Sequence, residues 1–185
     1  MSEKTDQVIF ETERFFVREW QLSDVDAAFE IYRNVNVQQF LSRGPGHASP
    51  EESRRQIEIW IGKYPLFPGY GFWAMVEKAT DKIVGAVALK PLSGGPEIEV
   101  GYHLAESAWG KGYATEIARG AVRYGFERME LDRIVGVCDP ENHASFRVLQ
   151  KAGLVHEGRQ FHYGHELEYL AIDRAGYEKE YHPDR

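Results

Sequence analysis

At 185 residues, with 43% hydrophobic and 28% charged side chains, the chain has the size and balance of one globular domain with a core of its own. Its formal net charge of −7 comes without any lysine- or arginine-rich run. That argues against a nucleic-acid surface and is compatible with cationic partners such as amines, although such a charge also serves solubility alone. A single cysteine, Cys138, excludes an intrachain disulfide, and no stretch approaches the ~20 apolar residues of a membrane span.

The polar start from Met1 to Gln7 lacks the apolar core of a secretion signal, so a cytoplasmic location is expected. No repeat or linker divides the chain, and residues 1–185 read as one domain with a flexible tail over about residues 1–8. Arg14 to Trp20 reads as the first strand. Ser23 precedes a helical pattern carried by Val25, Ala28, Phe29 and Tyr32. Ser49-Pro50-Glu51-Glu52 marks a second helix: an N-cap serine, a proline at the first position and a glutamate three residues after the cap. Phe72 to Glu77 and Ile83 to Leu89 form a hairpin across Thr80-Asp81-Lys82. Glu97 to Leu104 alternates, with Glu97, Glu99, Gly101 and His103 on a polar face that suits a cleft. A helix from about Gly112 to Arg128, an interior strand from Arg133 to Cys138 and a helix from Asn142 to Ala152 follow, the last closed by Gly153. Strands at Val155 to Phe161 and Glu166 to Ile172 finish the pattern, which implies an α+β fold on a mixed sheet.

The chemistry concentrates in Trp109-Gly110-Lys111-Gly112-Tyr113-Ala114, where a loop enters a helix. Two glycines flanking one residue let the backbone turn tightly and aim its amides outward at a helix N-terminus, where anions are favoured. Lys111 adds positive charge, and the set makes a pyrophosphate cradle. A nucleotide P-loop would need Ser or Thr after the lysine, where Gly112 stands. A dinucleotide fingerprint would need a glycine at Thr115 and a βαβ frame. A glycine-softened helix entry is the remaining alternative.

This segment resembles the acetyl-CoA motif of the GCN5-related N-acetyltransferase (GNAT) superfamily. Glu99-Val100-Gly101-Tyr102 before it and Ala114-Thr115-Glu116 after it resemble the branch of ribosomal-protein N-terminal acetyltransferases (RimJ/RimL-like). Asn142-His143-Ala144-Ser145 and Lys151-Ala152-Gly153-Leu154 are similar to that branch's second motif. Arg18-Glu19-Trp20 through Ser23-Asp24 looks like its first strand and turn, and the hairpin around Trp73 and Gly85 like its centre. The similarity runs in order over roughly residues 10 to 175.

The resemblance implies a V-splayed, mostly antiparallel sheet of six to seven strands with about four helices. It further implies that acetyl-CoA is the co-substrate, with no metal, and that a primary amine is acetylated by direct attack. Tyr102, His103 and Leu104 would hold the pantetheine arm. The amides of Trp109, Gly110, Lys111, Gly112, Tyr113, Ala114 and Thr115 would hold the pyrophosphate. Asn142 would sit by the pantetheine, and Phe146, Arg147 or Lys151 by the adenosine. Glu99 is the first choice of base and Glu97 the second, against the alternative that Glu99 is an ion-paired strand residue. The family's general-acid tyrosine falls at Leu149, so Ser145, Tyr113 or water must serve. The acceptor could be a protein N-terminus, which the branch favours, an antibiotic amine or a metabolite amine. A monomer or homodimer is expected. The rival reading is a non-catalytic acyl-CoA-binding or sensing module.

Other features are set aside. His162 and His165 flank a turn at Gly164 with no further metal ligands at suitable spacing. Cys138 reads as core rather than nucleophile. Trp60, Tyr64, Phe67, Tyr70 and Phe72 read mostly as core, with a share in the acceptor pocket as the alternative.

Overall fold

The computed structural model describes residues 8–39, 41 and 48–183. Eight strands form one sheet in the order β1-β2-β3-β4-β5-β6-β8-β7. They are β1 (Val8–Glu11), β2 (Phe15–Arg18), β3 (Gly71–Glu77), β4 (Lys82–Pro91), β5 (Ile98–Leu104), β6 (Arg133–Cys138), β7 (Val155–His162) and β8 (His165–Asp173). Every neighbouring pair is antiparallel except β5 and β6. The helices among the described residues are α1 (Val25–Tyr32), α2 (Val35–Gln38), α3 (Pro50–Lys63), α4 (Tyr113–Glu127), α5 (His143–Lys151) and α6 (Arg174–Tyr181). The α+β class is as expected, and the counts exceed the expected six to seven strands and four helices.

Three elements make the difference. Strand β1 begins at Val8, so the expected tail does not extend to that residue; residues 1–7 lie outside the described part of the chain. Helix α2 is one turn, capped by the Asn34 side chain on the amides of Asn36 and Val37. Helix α6 follows the strand expected to end the fold, and Asp173 Oδ1 caps it on Gly176 N at 2.7 Å.

The two sheet faces carry two helical layers. Val87, Val100, Ile134, Leu170 and Ile172 pack with Ile117, Ala121 and Val122 of α4, Leu149 of α5 and Tyr177 of α6. Ala74 and Ala86 on the opposite face pack with Ala28 and Ile31 of α1, Val37 of α2 and Ile57 of α3. Small residues at Ala74 and Ala86 bring that layer close to the sheet. The start of α3 is as the spacing predicts: Ser49 Oγ accepts from Glu52 N at 3.3 Å and Glu52 Oε2 accepts from Ala48 N at 2.7 Å. Gly153, with φ of +91°, ends α5 in the left-handed conformation that favours glycine.

Candidate active site

The parallel pair β5 and β6 is joined through one register pair, Glu99 opposite Val135. Past that point a cavity of about 760 Å³ lies between the strands, walled by residues 100–104 on one side and 137–139 on the other. It reaches both helical layers, because the strand edges that would close the sheet there are not paired to each other.

On the α4–α5 side the cavity meets the loop before α4. Trp109, Gly110, Gly112, Tyr113, Ala114 and Thr115 all line it. Gly110 and Gly112 have φ of +74° and +76°, a left-handed backbone that only glycine adopts without strain. No side chain caps the α4 start, so its first amides lack a side-chain partner. The starts of α3, α5 and α6 are covered by Ser49, Asn142 and Asp173.

The loop is braced from behind by the β1–β2 turn. Arg14 Nη1 donates to Lys111 O at 3.0 Å, and Arg14 Nε donates to Glu116 Oε2 at 2.5 Å. Glu116 Oε1 also accepts from Thr12 Oγ1 at 2.7 Å and Arg14 N at 2.8 Å. The Arg14 guanidinium lies over the Tyr113 ring at 4.6 Å, and the Tyr113 hydroxyl donates to Glu77. Trp109 Nε1 donates to Leu104 O at 3.1 Å, tying the loop to the end of β5. Helix α5 presents Ser145 and Leu149 to the cavity, with its cap Asn142 beside them. The Tyr102 hydroxyl stands 2.9 Å from Ser145 Oγ and 3.1 Å from Ser145 O. Cys138 is a buried part of the wall, and burial pushes its thiol up to about 12, which keeps it protonated and unreactive.

On the α1–α2 side the polar face of β5 supplies Glu99, Gly101 and His103. Glu99 is buried, and its Oε1 accepts from both Lys90 Nζ of β4 and the Tyr163 hydroxyl. Lys90 Nζ also donates to the Tyr163 hydroxyl at 2.7 Å. Burial alone would pull the Lys90 ammonium down, but Glu99 and Tyr163 outweigh it and hold it above its ordinary value. Tyr163 and Gly164 form the β7–β8 turn, both with positive φ (+52° and +89°), and this tight turn carries the Tyr163 phenol to Glu99. His103 packs edge-on to Tyr32 and against Phe72, ring centroids 5.9 and 5.3 Å away. Its Nδ1 is buried without a hydrogen bond. Burial pushes the imidazole down to about 4, and the Lys90 charge adds to the effect, so it is neutral at ordinary pH.

Residues 14–155 match the family model of the acetyltransferase (GNAT) domain. The chain belongs to the GNAT acetyltransferases. The N-acetyltransferase YnaD of Bacillus subtilis (strain 168), itself uncharacterized, is 28% identical over 151 residues, which cover 80% of this chain and 82% of YnaD. The GNAT-family acetyltransferase of Bacillus anthracis superposes with a TM-score of 0.76 at 26% identity, over 89% of this chain and 97% of its own. The ribosomal L7/L12 alpha-N-protein acetyltransferase RimL, solved in complex with coenzyme A, has the same fold, with a TM-score of 0.76 at 21% identity over 90% and 98% of the two chains. The protein is thus an acyltransferase, of a family whose acyl donor is acetyl-CoA.

In this GNAT domain the cavity gathers Glu99, Tyr102, His103, Leu104, Trp109, Gly110, Gly112, Tyr113, Ala114, Thr115, Asn142 and Ser145, from the residues singled out in the sequence. Lys111 meets the loop through its carbonyl, with its ammonium 5.7 Å from the Tyr113 ring and outside the lining. Phe146 and Lys151 also stand outside it. The 100° step of a helix turns Phe146 away from Ser145 and onto His156, 5.1 Å between centroids, and Lys151 is exposed at the far end of α5. Glu97 precedes β5 and is held outside the lining, accepting from the Tyr169 hydroxyl at 2.7 Å with Arg133 Nε at 3.5 Å. Of the five aromatics around α3, Phe72 alone lines the cavity; Tyr64 is buried with its hydroxyl donating to Phe72 O at 2.8 Å. Among the described residues no three His, Cys, Asp or Glu side chains cluster as a metal site, and no helix is long and apolar enough to cross a membrane. Sequence reasoning misses Lys90 and Tyr163. The signal for Tyr163 is its place beside Gly164 in a two-residue turn, where Asn or Gly is the usual choice.

Proposed function

We propose that the cavity holds acetyl-CoA on its α4–α5 side and passes the acetyl group to a primary amine that enters from the α1–α2 side, with Glu99 as the base. The observation that carries this reading is one continuous cavity with the open amides of α4 at one end and the Glu99 carboxylate at the other.

The residues fit the donor. The start of α4 offers uncapped amides to the pyrophosphate, and a Cβ at Gly110 would stand in open space on this loop. The unpaired edge of β5 along Tyr102, His103 and Leu104 offers backbone groups to the amides of the pantetheine arm, and Asn142 lies beside it. Bound acetyl-CoA supplies an activated thioester carbonyl, which backbone N–H groups at the gap polarise. Glu99 takes the proton that the amine nitrogen sheds as its bond to the acetyl carbon forms. Its Oε2 carries neither the Lys90 nor the Tyr163 bond and is the oxygen available for this. Ser145 Oγ, paired with the Tyr102 hydroxyl, protonates the sulfur as the C–S bond breaks, and the proton taken by Glu99 is returned to the serine through solvent, so that one proton passes from nitrogen to sulfur overall. Leu149, which the resemblance aligns with the family's general-acid tyrosine, lines the cavity with no proton to give. The acceptor is an amine of a protein N-terminus or of a small molecule.

Calorimetric titration with acetyl-CoA beside a thiol-release assay tests this reading. Glu99→Gln should bind acetyl-CoA like the wild type and lose about 10²- to 10⁴-fold in kcat, the usual contribution of a positioned acid or base. A rate unchanged in that variant removes Glu99 from the mechanism.

A further inference from the structure

Charge and shape differ between the two ends of the cavity, and the acceptor end is the more restrictive. Among the described residues, the carboxylates in the whole lining are Glu99 and Asp139. Asp139 Oδ1 is taken by Glu141 N at 2.8 Å in the turn before α5, on the donor's side. Glu99 is already neutralised by Lys90. The acceptor end therefore presents one ion pair of zero net charge. Around the ion pair the wall combines an apolar part, Val37, Leu41, Phe72, Ala88 and Leu167 with the neutral His103 ring, and an uncharged polar part from the Asn36 and Gln39 amides, with the His165 ring near Leu167. Phe72 is held between Trp60 and His103 at 4.6 and 5.3 Å, a firm aromatic surface.

We propose that the acceptor is a small primary amine with one positive charge on an apolar or aromatic body, and that Lys90 is the residue that turns polycationic amines away. This rests on the acetyl-transfer reading of the cavity. A mono-ammonium meets Glu99 Oε2 with its single charge and buries its body on the aromatic wall. A polyamine or aminoglycoside brings further ammonium groups close to Lys90, with no second carboxylate in the lining of this end to receive them; Glu106, outside the lining, already accepts from Asn34 and Asn36 at 2.8 Å each. The ion pair has no net charge to offer, so each further ammonium gives up hydration beside Lys90 without a carboxylate in return, which disfavours that complex by ~30-fold or more.

Thiol release measured over phenethylamine, isoamylamine, spermidine, kanamycin and a peptide with a free N-terminus tests the proposal. The wild type should show kcat/KM for phenethylamine at least ~30-fold above spermidine and kanamycin. Lys90→Met, which leaves Glu99 with the Tyr163 hydroxyl but without its ion-pair partner, should narrow that ratio by ~10-fold or more while acetyl-CoA affinity by calorimetry stays the same. Lys90→Gln serves the same purpose should the methionine variant fold poorly. Spermidine, kanamycin or the peptide turned over faster than the arylalkylamine by the wild type would overturn the proposal, as would an unchanged ratio in the Lys90 variants. Absence of acetyl-CoA binding, or of CoA release with every amine, would overturn the transfer reading and this inference together. Transfer with the wrong preference overturns the inference alone.

Discussion

The two ends of the cavity are built by opposite means. The donor end is made of backbone: two left-handed glycines, the uncapped amides of α4 and the open edge of β5. The acceptor end is made of side chains brought from far apart, Lys90 on β4, Glu99 on β5, Tyr163 in the β7–β8 turn and Phe72 on β3. A backbone site needs a particular conformation over a few consecutive residues, so its instructions are local. A side-chain site needs the register of three strands and the placing of a turn, and its specificity is free to change without disturbing the fold.

The largest expected effect outside the catalytic group comes from attacking the local instructions. Gly112→Val puts a β-branched residue at φ of +76°. The left-handed conformation costs such a residue about 1–2 kcal/mol, so the loop must relax and acetyl-CoA should bind about 5- to 30-fold more weakly in calorimetry. Amine preference, set at the other end, should not move. A change in preference as large as the loss of affinity would show that the two ends are not separable.

That asymmetry also decides how much of the site is legible in the sequence. Gly110-Lys111-Gly112 and the Ser49 and Asn142 caps declare themselves within six residues, and the α3, α4 and α5 boundaries follow closely. The alternation of Glu97 to His103 puts Glu99 and His103 on one face, and they share one wall of the cavity. Alternation alone does not say that Glu97 is claimed by Tyr169 and Arg133, because those partners come from β8 and β6. The Lys90–Glu99 pair is invisible for the same reason: it exists because Lys90 is registered opposite Glu99 across an antiparallel ladder. Helix α6 escapes a sequence reading because Gly176 and a mostly charged sequence leave Tyr177 and Tyr181 as its apolar contacts. Its stability comes from docking against α4 and the end of α5.

A smaller effect sharpens the comparison within the donor end. Arg14 touches the loop only through Lys111 O, the Tyr113 ring and Glu116, so it positions the cradle without forming part of its lining. Arg14→Ala removes a charge-assisted bond of about 1.5 kcal/mol or more, part of which is stored in loop geometry. We expect KM for acetyl-CoA to rise about 5-fold with kcat nearly unchanged, and Arg14→Lys to recover part of the loss. An equal fall in kcat would mean that the brace also aligns the reacting groups.

The smallest effect belongs to the acceptor end and is one of stability against pH. His103 titrates at about 4 in the folded protein, below its ordinary value near 6.5 in an unfolded chain. Between those two values the unfolded chain binds the proton and the folded one does not, so stability rises with pH through this window and is lost as the pH falls through it. Lys90 is the charge that acts on His103, and the Tyr32 phenol packs against its ring. His103→Phe keeps the ring contact with Phe72 and Tyr32 and removes the titration. Urea unfolding at pH 7, 6 and 5 should show the wild type losing stability relative to this variant step by step, with no difference in slope above pH 7. Parallel curves over the whole range would mean that the imidazole is hydrated or finds a partner for Nδ1, and the wall facing the acceptor would then be polar at His103 rather than apolar.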